Sequence, residues 1–260
     1  MAKTLKRIYA GSIELASLSD RASSRDEPRQ RAAKKQASSE AQRHMNQIYS
    51  YQKFELMLAV NFPTAGSGLV ITLTYDNAHL PKTRAEAQRR FKYFLQKLRA
   101  ARKAAGLPEP VVGFAPEALS SESGRWHHHI VLDNTGRDYD MVRSCWIYGS
   151  DIEIKPLRVD KKKNHETLAR YMTKEARECQ DYEAKLGTRS WSWTRNAKRP
   201  EVDTVTVPDD YELQPPEGST VLLDEHRGTE LASWRVLKIR YDGLPPIRIP
   251  RPKRRRKRKS

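Results

Sequence analysis

The chain has 260 residues, of which 49 are Lys or Arg and 32 are Asp or Glu, so its formal net charge is +17. No apolar run is long enough to cross a membrane, and residues 1–21 lack the apolar core of a secretory signal peptide. The two cysteines are not in CxxC spacing, which predicts neither a disulfide scaffold nor a cysteine zinc site. We therefore expect a soluble, basic protein located in the cytoplasm.

Basic side chains concentrate in two segments. The last ten residues carry eight Lys or Arg and no acid, and residues 82–103 carry nine basic side chains and one acid. Each phosphate that such a segment neutralises releases a condensed counterion, so both segments favour binding to nucleic acid. The alternatives are a solvated basic face for residues 82–103, and a membrane surface or nuclear import for the tail.

The first half of the chain predicts two helices and one strand. Residues 1–40 are rich in Ser, Arg, Lys and Ala without a sustained period, which is typical of a basic flexible arm. Residues 40–60 are predicted to be helical, and the Pro and Gly of residues 61–68 predict a loop. The alternating segment LVITLTY at 69–75 predicts a strand. Residues 83–105 predict a helix with the apolar stripe Phe91, Phe94, Leu95 and Leu98.

The second half predicts more strands than helices. Strands are expected at 111–117, 126–133 and 151–157, and helices at 139–148 and 164–179, the latter with Asn164 at its N-cap. An aromatic and basic segment, a Pro-rich linker and a β-hairpin turning near Arg227 follow. The order predicts an α+β fold with an antiparallel sheet, like RRM or ferredoxin-like folds, with helices on one face. An open second face would suit single-stranded nucleic acid.

Three consecutive histidines stand out in a chain that contains seven. In a strand, His127 and His129 share one face and lie about 7 Å apart, while His128 points to the other face. Two such imidazoles can hold a divalent cation with one further ligand. Glu117, at the end of the preceding strand, and Glu122, in the turn, are the rival third ligands. The alternative is one core histidine and two exposed ones.

Tyr171 and Lys174 are spaced to share one face of the predicted helix. A tyrosine can act as a covalent nucleophile, and a nearby metal can polarise the phosphate that it attacks. The alternative is that Tyr171 is a core residue of an amphipathic helix. Tyr182 is a weaker candidate for the nucleophile.

Four segments together resemble a known family. LVITLTY, a strand ending in Glu117, GRWHHHIVL and LARYMTKEA occur in the order of the motifs of HUH endonucleases, above all the rolling-circle replication initiators of single-stranded-DNA phages and small plasmids. RSWSWTRNAKRPEV is similar to the segment that closes their catalytic domain. The resemblance implies an HUH domain at 41–200, between the arm at 1–40, a C-terminal β-hairpin extension at 201–250 and a basic disordered tail at 251–260.

The resemblance also implies roles for individual residues. His127, His129 and Glu117 would hold Mg²⁺ or Mn²⁺, Tyr171 would be the nucleophile, and Lys174 would accompany it. His128 occupies a position that is usually hydrophobic in the family, and a register slip would make it a ligand instead. Because Ile130 and Leu132 share its face, we expect His128 to point into the core.

The activity implied is nicking and rejoining of single-stranded DNA at a replication origin through a 5′-phosphotyrosine, in the cytoplasm of a bacterial host. No P-loop motif is present, so a host helicase and a host polymerase would be partners. The alternatives are a relaxase or single-strand transposase of the same superfamily, or a non-catalytic single-strand-binding module. Expected DNA contacts are Thr72, Thr74, Arg89, Arg90, Lys97, Trp191, Trp193 and Arg195, where the tryptophans either stack on bases or pack at a hinge.

Overall fold

A computed structural model of the chain describes residues 2–19, 40–115, 118–119, 126–178, 191–229 and 232–243. The helices in these residues are α1 (Glu40–Asn61), α2 (Arg84–Ala104), α3 (Asp138–Cys145) and α4 (Glu166–Glu178), with a short 3₁₀ helix at Asn77–His79. The strands are β1 (Lys3–Ala10), β2 (Ile13–Ser19), β3 (Gly68–Thr74), β4 (Val112–Phe114), β5 (Ala118–Leu119), β6 (Trp126–Asp133), β7 (Ile152–Pro156), β8 (Ser192–Trp193), β9 (Glu201–Val207), β10 (Ser219–Thr229) and β11 (Ala232–Tyr241). None of these helices is both long and apolar enough to span a membrane.

The strands form two antiparallel sheets, which confirms the predicted α+β class. The central sheet has the order β7-β3-β6-β4-β8, and β5 also pairs with β6. Strands β3 and β6 carry its core, because their alternate residues Leu69, Ile71 and Ile130 are fully buried against α2 and α3. The local apolar patterns were sufficient to predict β3, β6, α2 and α4 within two residues at each end.

The second face of the central sheet differs from the expected open surface. Helices α1 and α4 pack on it, with Phe54 and Leu58 of α1 and Met172 of α4 in one cluster with Val131 of β6. These helices have apolar sides that must be removed from water, and the sheet offers the apolar surface for them. The helices therefore lie on both faces, α2 and α3 on one and α1 and α4 on the other.

The terminal sheet combines the two ends of the described chain, in the order β10-β11-β2-β1-β9. Residues 3–19 were expected to belong to a flexible arm, but they form a hairpin whose turn contains Gly11 at φ 59°. Apart from their pairing with each other, these strands pair with β9 and β11, which are far away in sequence, so no local pattern could indicate that second pairing. The expected C-terminal hairpin is present as β10 and β11. The tail at 251–260 lies outside the described residues.

Helix α1 joins the two sheets. Its Leu56 and Ala59 pack on Ala10 and Ile13 of the terminal sheet, while other residues of α1 pack on the central sheet. The terminal sheet is therefore connected through α1 to the central sheet, which contains residues of the candidate site.

Candidate active site

The pairing of β3 with β6 sets the positions of the three histidines. Thr72 lies opposite His129 and Thr74 lies opposite His127, so these four side chains share one face. The rings of His127 and His129 are 4.7 Å apart, measured between centroids, at 79° to each other. The two imidazoles are therefore adjacent, as the alternation of a strand predicts.

His128 points to the opposite face and is 1% exposed. Its Nε2 lies 2.8 Å from the Tyr75 hydroxyl, which in turn donates to the carbonyl oxygen of Ala87. Its ring stacks on Phe91 at 4.8 Å. Burial, together with the neighbouring histidines, lowers the pKa of His128 to about 3, so the ring is neutral. A neutral imidazole with a hydrogen-bond partner thus fills a core position, and the register slip that would turn it towards the other histidines is not observed.

Thr72 orients the ring of His129. The Thr72 Oγ1 lies 3.1 Å from His129 Nδ1, and His129 is 5% exposed. In the tautomer whose Nδ1 donates to Thr72, the Nε2 atom keeps its lone pair, which is the form that a metal ion needs. Thr72, expected to contact DNA, is therefore placed to orient His129, the residue expected to be a metal ligand.

Tyr171 of α4 contacts His129 of the histidine pair. Its ring is 5.4 Å from the ring of His129, measured between centroids, and the residue is 47% exposed. The neighbouring Ala169 and Met172 are fully buried and anchor α4 on the central sheet. Tyr171 is thus not the core residue of the alternative interpretation, because its side chain is accessible to solvent. Lys174 lies one turn further along α4, and its side chain is outside the described part of the structure.

The two rival carboxylate ligands, Glu117 and Glu122, lie outside the described residues, as does Tyr182. Among the residues that are described, no group of three His, Cys, Asp or Glu side chains could hold a metal ion. The described neighbours of Glu117 approach both histidines: Ala115 N–H donates to the His129 carbonyl at 3.2 Å, and Ala118 pairs with His127. Which carboxylate completes the set stays a prediction.

The tryptophans pack within the protein. Trp193 is 9% exposed, and its ring contacts those of Phe54 and Phe62 at 5.5 and 5.9 Å. A Cβ atom on Gly113 would come within 2.7 Å of the same indole. Trp191 is half-buried, and its Nε1 donates to the Ser50 carbonyl at 3.2 Å. Both rings therefore make contacts within the protein, as in the packing alternative, and Trp193 exposes little surface on which a base could stack. Arg195 is exposed.

The predicted basic contacts on α2 lie on the other side of the sheet from Tyr171. Arg89 is exposed, and the ammonium of Lys97 lies 5.1 Å from the ring of Tyr93. Arg90 is held in place, because it pairs with Glu86 at 2.7 Å and its guanidinium lies over the Tyr148 ring. Arg102, also in the basic segment, is fully buried with ion pairs to Asp133 and Asp138 at 2.8 and 2.7 Å. The basic segment is thus only partly a solvated surface.

Two features in and around the site were not predicted from the sequence. Glu153 of β7 lies directly opposite Thr72, on the face of the histidine pair, and the alternation of DIEIKPL could have indicated this. A buried charge cluster joins Lys238 of β11 to Glu55 of α1 and Glu166 of α4. No sequence signal indicated this second feature, because its members come from three distant segments.

Residues 68–176 match the sequence model of a family described as replication-associated protein ORF2. The matched segment runs from β3 into α4 and includes the histidines and Tyr171. No curated protein and no solved structure has significant similarity to the chain.

Proposed function

We propose that this protein is a replication initiator that nicks single-stranded DNA at an origin and rejoins it through a covalent 5′-phosphotyrosine, which starts rolling-circle replication. The observation that carries the proposal is the exposed phenol of Tyr171 in ring contact with His129, which adjoins His127. The family match supports replication rather than conjugation or transposition as the task of this site.

Tyr171 is the proposed nucleophile. Its phenolic oxygen attacks the phosphorus of the scissile phosphate and forms a P–O bond, while the bond from phosphorus to the 3′ oxygen breaks. The phenolic proton passes to solvent, to which Tyr171 is exposed, and the leaving 3′ oxygen takes a proton from solvent to become a hydroxyl. The link keeps a phosphodiester, so attack by a 3′-hydroxyl on the same phosphorus rejoins the strand and restores the phenol. Lys174 would assist by stabilising the developing charge.

The proposed donors, two imidazoles and a carboxylate, are of the kinds that bind a divalent cation such as Mg²⁺ or Mn²⁺. His127 and His129 supply two neighbouring imidazoles on one face, Thr72 holds one of them by its Nδ1, and Glu117 or Glu122 would add an oxygen ligand. When bound, such an ion would act as a Lewis acid that withdraws negative charge from the non-bridging oxygens of the phosphate. The chain's own contribution is to orient the two rings and to keep the phenol beside them.

The test is a covalent-adduct assay with Tyr171→Phe. The full-length protein is incubated with Mn²⁺ and single-stranded origin DNA labelled at its 3′ end, because a 5′-phosphotyrosine attaches the protein to the downstream fragment. The wild type is expected to give a slowed, protease-sensitive band on a denaturing gel, and Tyr171→Phe none, with unchanged DNA binding. The matched control is Tyr139→Phe, since Tyr139 of α3 is also exposed, at 39%, and should not affect the adduct.

Three outcomes contradict parts of the proposal. An adduct formed by Tyr171→Phe shows that another residue is the nucleophile. Binding without any adduct in the wild type indicates a non-catalytic single-strand-binding module. Cleavage that survives EDTA, or the loss of both His127 and His129, removes the metal ion from the mechanism.

A further inference from the structure

The outward side of α2 presents a straight row of polar side chains. The opposite side of the helix is buried on the central sheet through Phe91, Phe94 and Leu98. The row repeats at intervals of three or four residues, so its members stand one above another, and it consists of Arg89, Lys92, Gln96, Arg99 and Lys103. With a rise of about 1.5 Å per residue, the row is about 21 Å long.

Most of the charge in this row is not neutralised by neighbouring acids. Arg99 forms an ion pair with Glu109 at 3.3 Å, in which both side chains are substantially exposed. For Arg89, Lys92 and Lys103, no ion pair is formed with any of the residues that the structure describes. Glu86, the acid of this helix, forms an ion pair with Arg90, and it attracts Arg89 electrostatically without forming an ion pair with it. Three cations of the row therefore remain available to an outside anion.

The row faces away from the candidate active site. Helix α2 covers the face of the central sheet that contains Leu69, Ile71 and Leu73, whereas Tyr171 and His129 lie on the opposite face with α4. The whole sheet stands between them. A phosphate bound on α2 therefore belongs to a different stretch of nucleic acid from the phosphate that Tyr171 reaches.

We propose that this row is a second DNA-binding surface, which holds duplex DNA that flanks the nicked strand. This rests on the proposed function, because an origin places duplex beside the single strand. Single-strand sites stack bases on aromatic rings, and the row contains none. Tyr93 lies to the side, with the Lys97 ammonium over its ring. A straight row of cations on a rigid helix matches the regularly spaced phosphates of a duplex, which it contacts without reading bases.

The test removes the three available charges together. The variant Arg89→Gln/Lys92→Gln/Lys103→Gln keeps good helix formers, and the control Lys6→Gln/Lys53→Gln/Lys198→Gln removes three charges from exposed positions elsewhere. Both are compared with the wild type on a blunt duplex of about 30 base pairs, enough to exceed the row. We expect the α2 variant to bind the duplex about tenfold more weakly or worse. The slope of log affinity against log salt, which is negative, should become less steep by about 3. The control should keep both values.

A second measurement separates this surface from the chemistry. Adduct formation on a short single-stranded oligonucleotide should be unchanged in the double variant Lys92→Gln/Lys103→Gln, because that substrate reaches only the face of the sheet on which Tyr171 lies. Duplex affinity and salt slope equal to those of the wild type would show a merely solvated face. Equal losses on duplex and single-stranded probes, or a lost adduct with a folded variant, would show that the row serves single-stranded DNA and overturn the proposal. Duplex binding requires no cleavage. The binding measurement therefore tests the α2 surface independently of the adduct assay, which tests the proposed function.

Discussion

Lys238 is the residue whose replacement tests the packing of the two sheets most directly. Its Nζ atom lies 2.9 Å from Glu55 Oε2 and 2.7 Å from Glu166 Oε2, and its side chain is 1% exposed. Glu55 is fully buried on α1, and Glu166 begins α4, the helix that carries Tyr171. Replacement by Met keeps the apolar stem of the lysine and removes its charge, so the variant leaves Glu55 buried without its cation.

The expected cost follows from the burial of Glu55. Removing one partner of a buried ion pair typically costs about 3–5 kcal/mol, because the remaining charge stays out of water. Glu166 contributes less, since its side chain is 26% exposed and retains an ion pair with Arg170 at 2.6 Å. We expect Lys238→Met to lower the free energy of unfolding at about pH 7.5 by about 3–5 kcal/mol.

The pH dependence of this cost has a defined sign. Burial raises the pKa of Glu55 above its ordinary value even beside Lys238, and loss of the lysine should raise the pKa further. An acid whose pKa is higher in the folded state penalises folding fully above the folded pKa, and the penalty disappears as the pH falls towards the unfolded pKa. The cost of Lys238→Met should therefore shrink as the pH is lowered from about 7.5 to about 5.

Urea unfolding at the two pH values measures both effects. The double variant Glu55→Gln/Lys238→Met should regain a large part of the lost stability, because it leaves no buried charge at position 55. The control is Lys155→Met, whose ion pair with Glu153 is exposed and should be worth at most about 1 kcal/mol. A cost for Lys238→Met below about 1 kcal/mol at the higher pH, or one that increases on acidification, would refute the reasoning.

Two further substitutions test single contacts of the site. Thr72→Val removes the hydroxyl that lies 3.1 Å from His129 Nδ1, and it should weaken Mn²⁺ binding by about tenfold or more in titration calorimetry. An unchanged Mn²⁺ affinity would argue against His129 as a ligand that Thr72 orients. Gly113→Ala places a Cβ atom within 2.7 Å of the Trp193 ring and should lower the free energy of unfolding by about 1–3 kcal/mol. Gly243→Ala is its control in urea unfolding, because no atom of the described residues beyond the chain neighbours lies within 4 Å of the added Cβ. Equal stability of the two variants would contradict the packing of Trp193.

The sequence alone determined the local elements and the faces of their residues. The alternation of β6 placed His127 and His129 on one side and His128 with the core, because successive residues of a strand point to opposite faces. The apolar stripe of α2 was also predicted correctly, because the spacing of apolar residues along a helix indicates which side is buried. The start of α4 was also predicted from local signals, although the Thr167 N–H donates to Asp160 rather than to Asn164.

Only the tertiary structure decided which elements meet. β1 and β2 pair with strands from near the other end of the described chain. Arg102 is buried in ion pairs with Asp133 and Asp138. Trp193 packs against aromatic rings of α1 and of the loop after it. These outcomes depend on contacts between residues far apart in sequence, and a local pattern shows that a side chain requires a partner without showing which one. The approach of Tyr171 to His129 is of the same kind, because β6 and α4 are brought together only by the packing of α4 on α1 and the sheet.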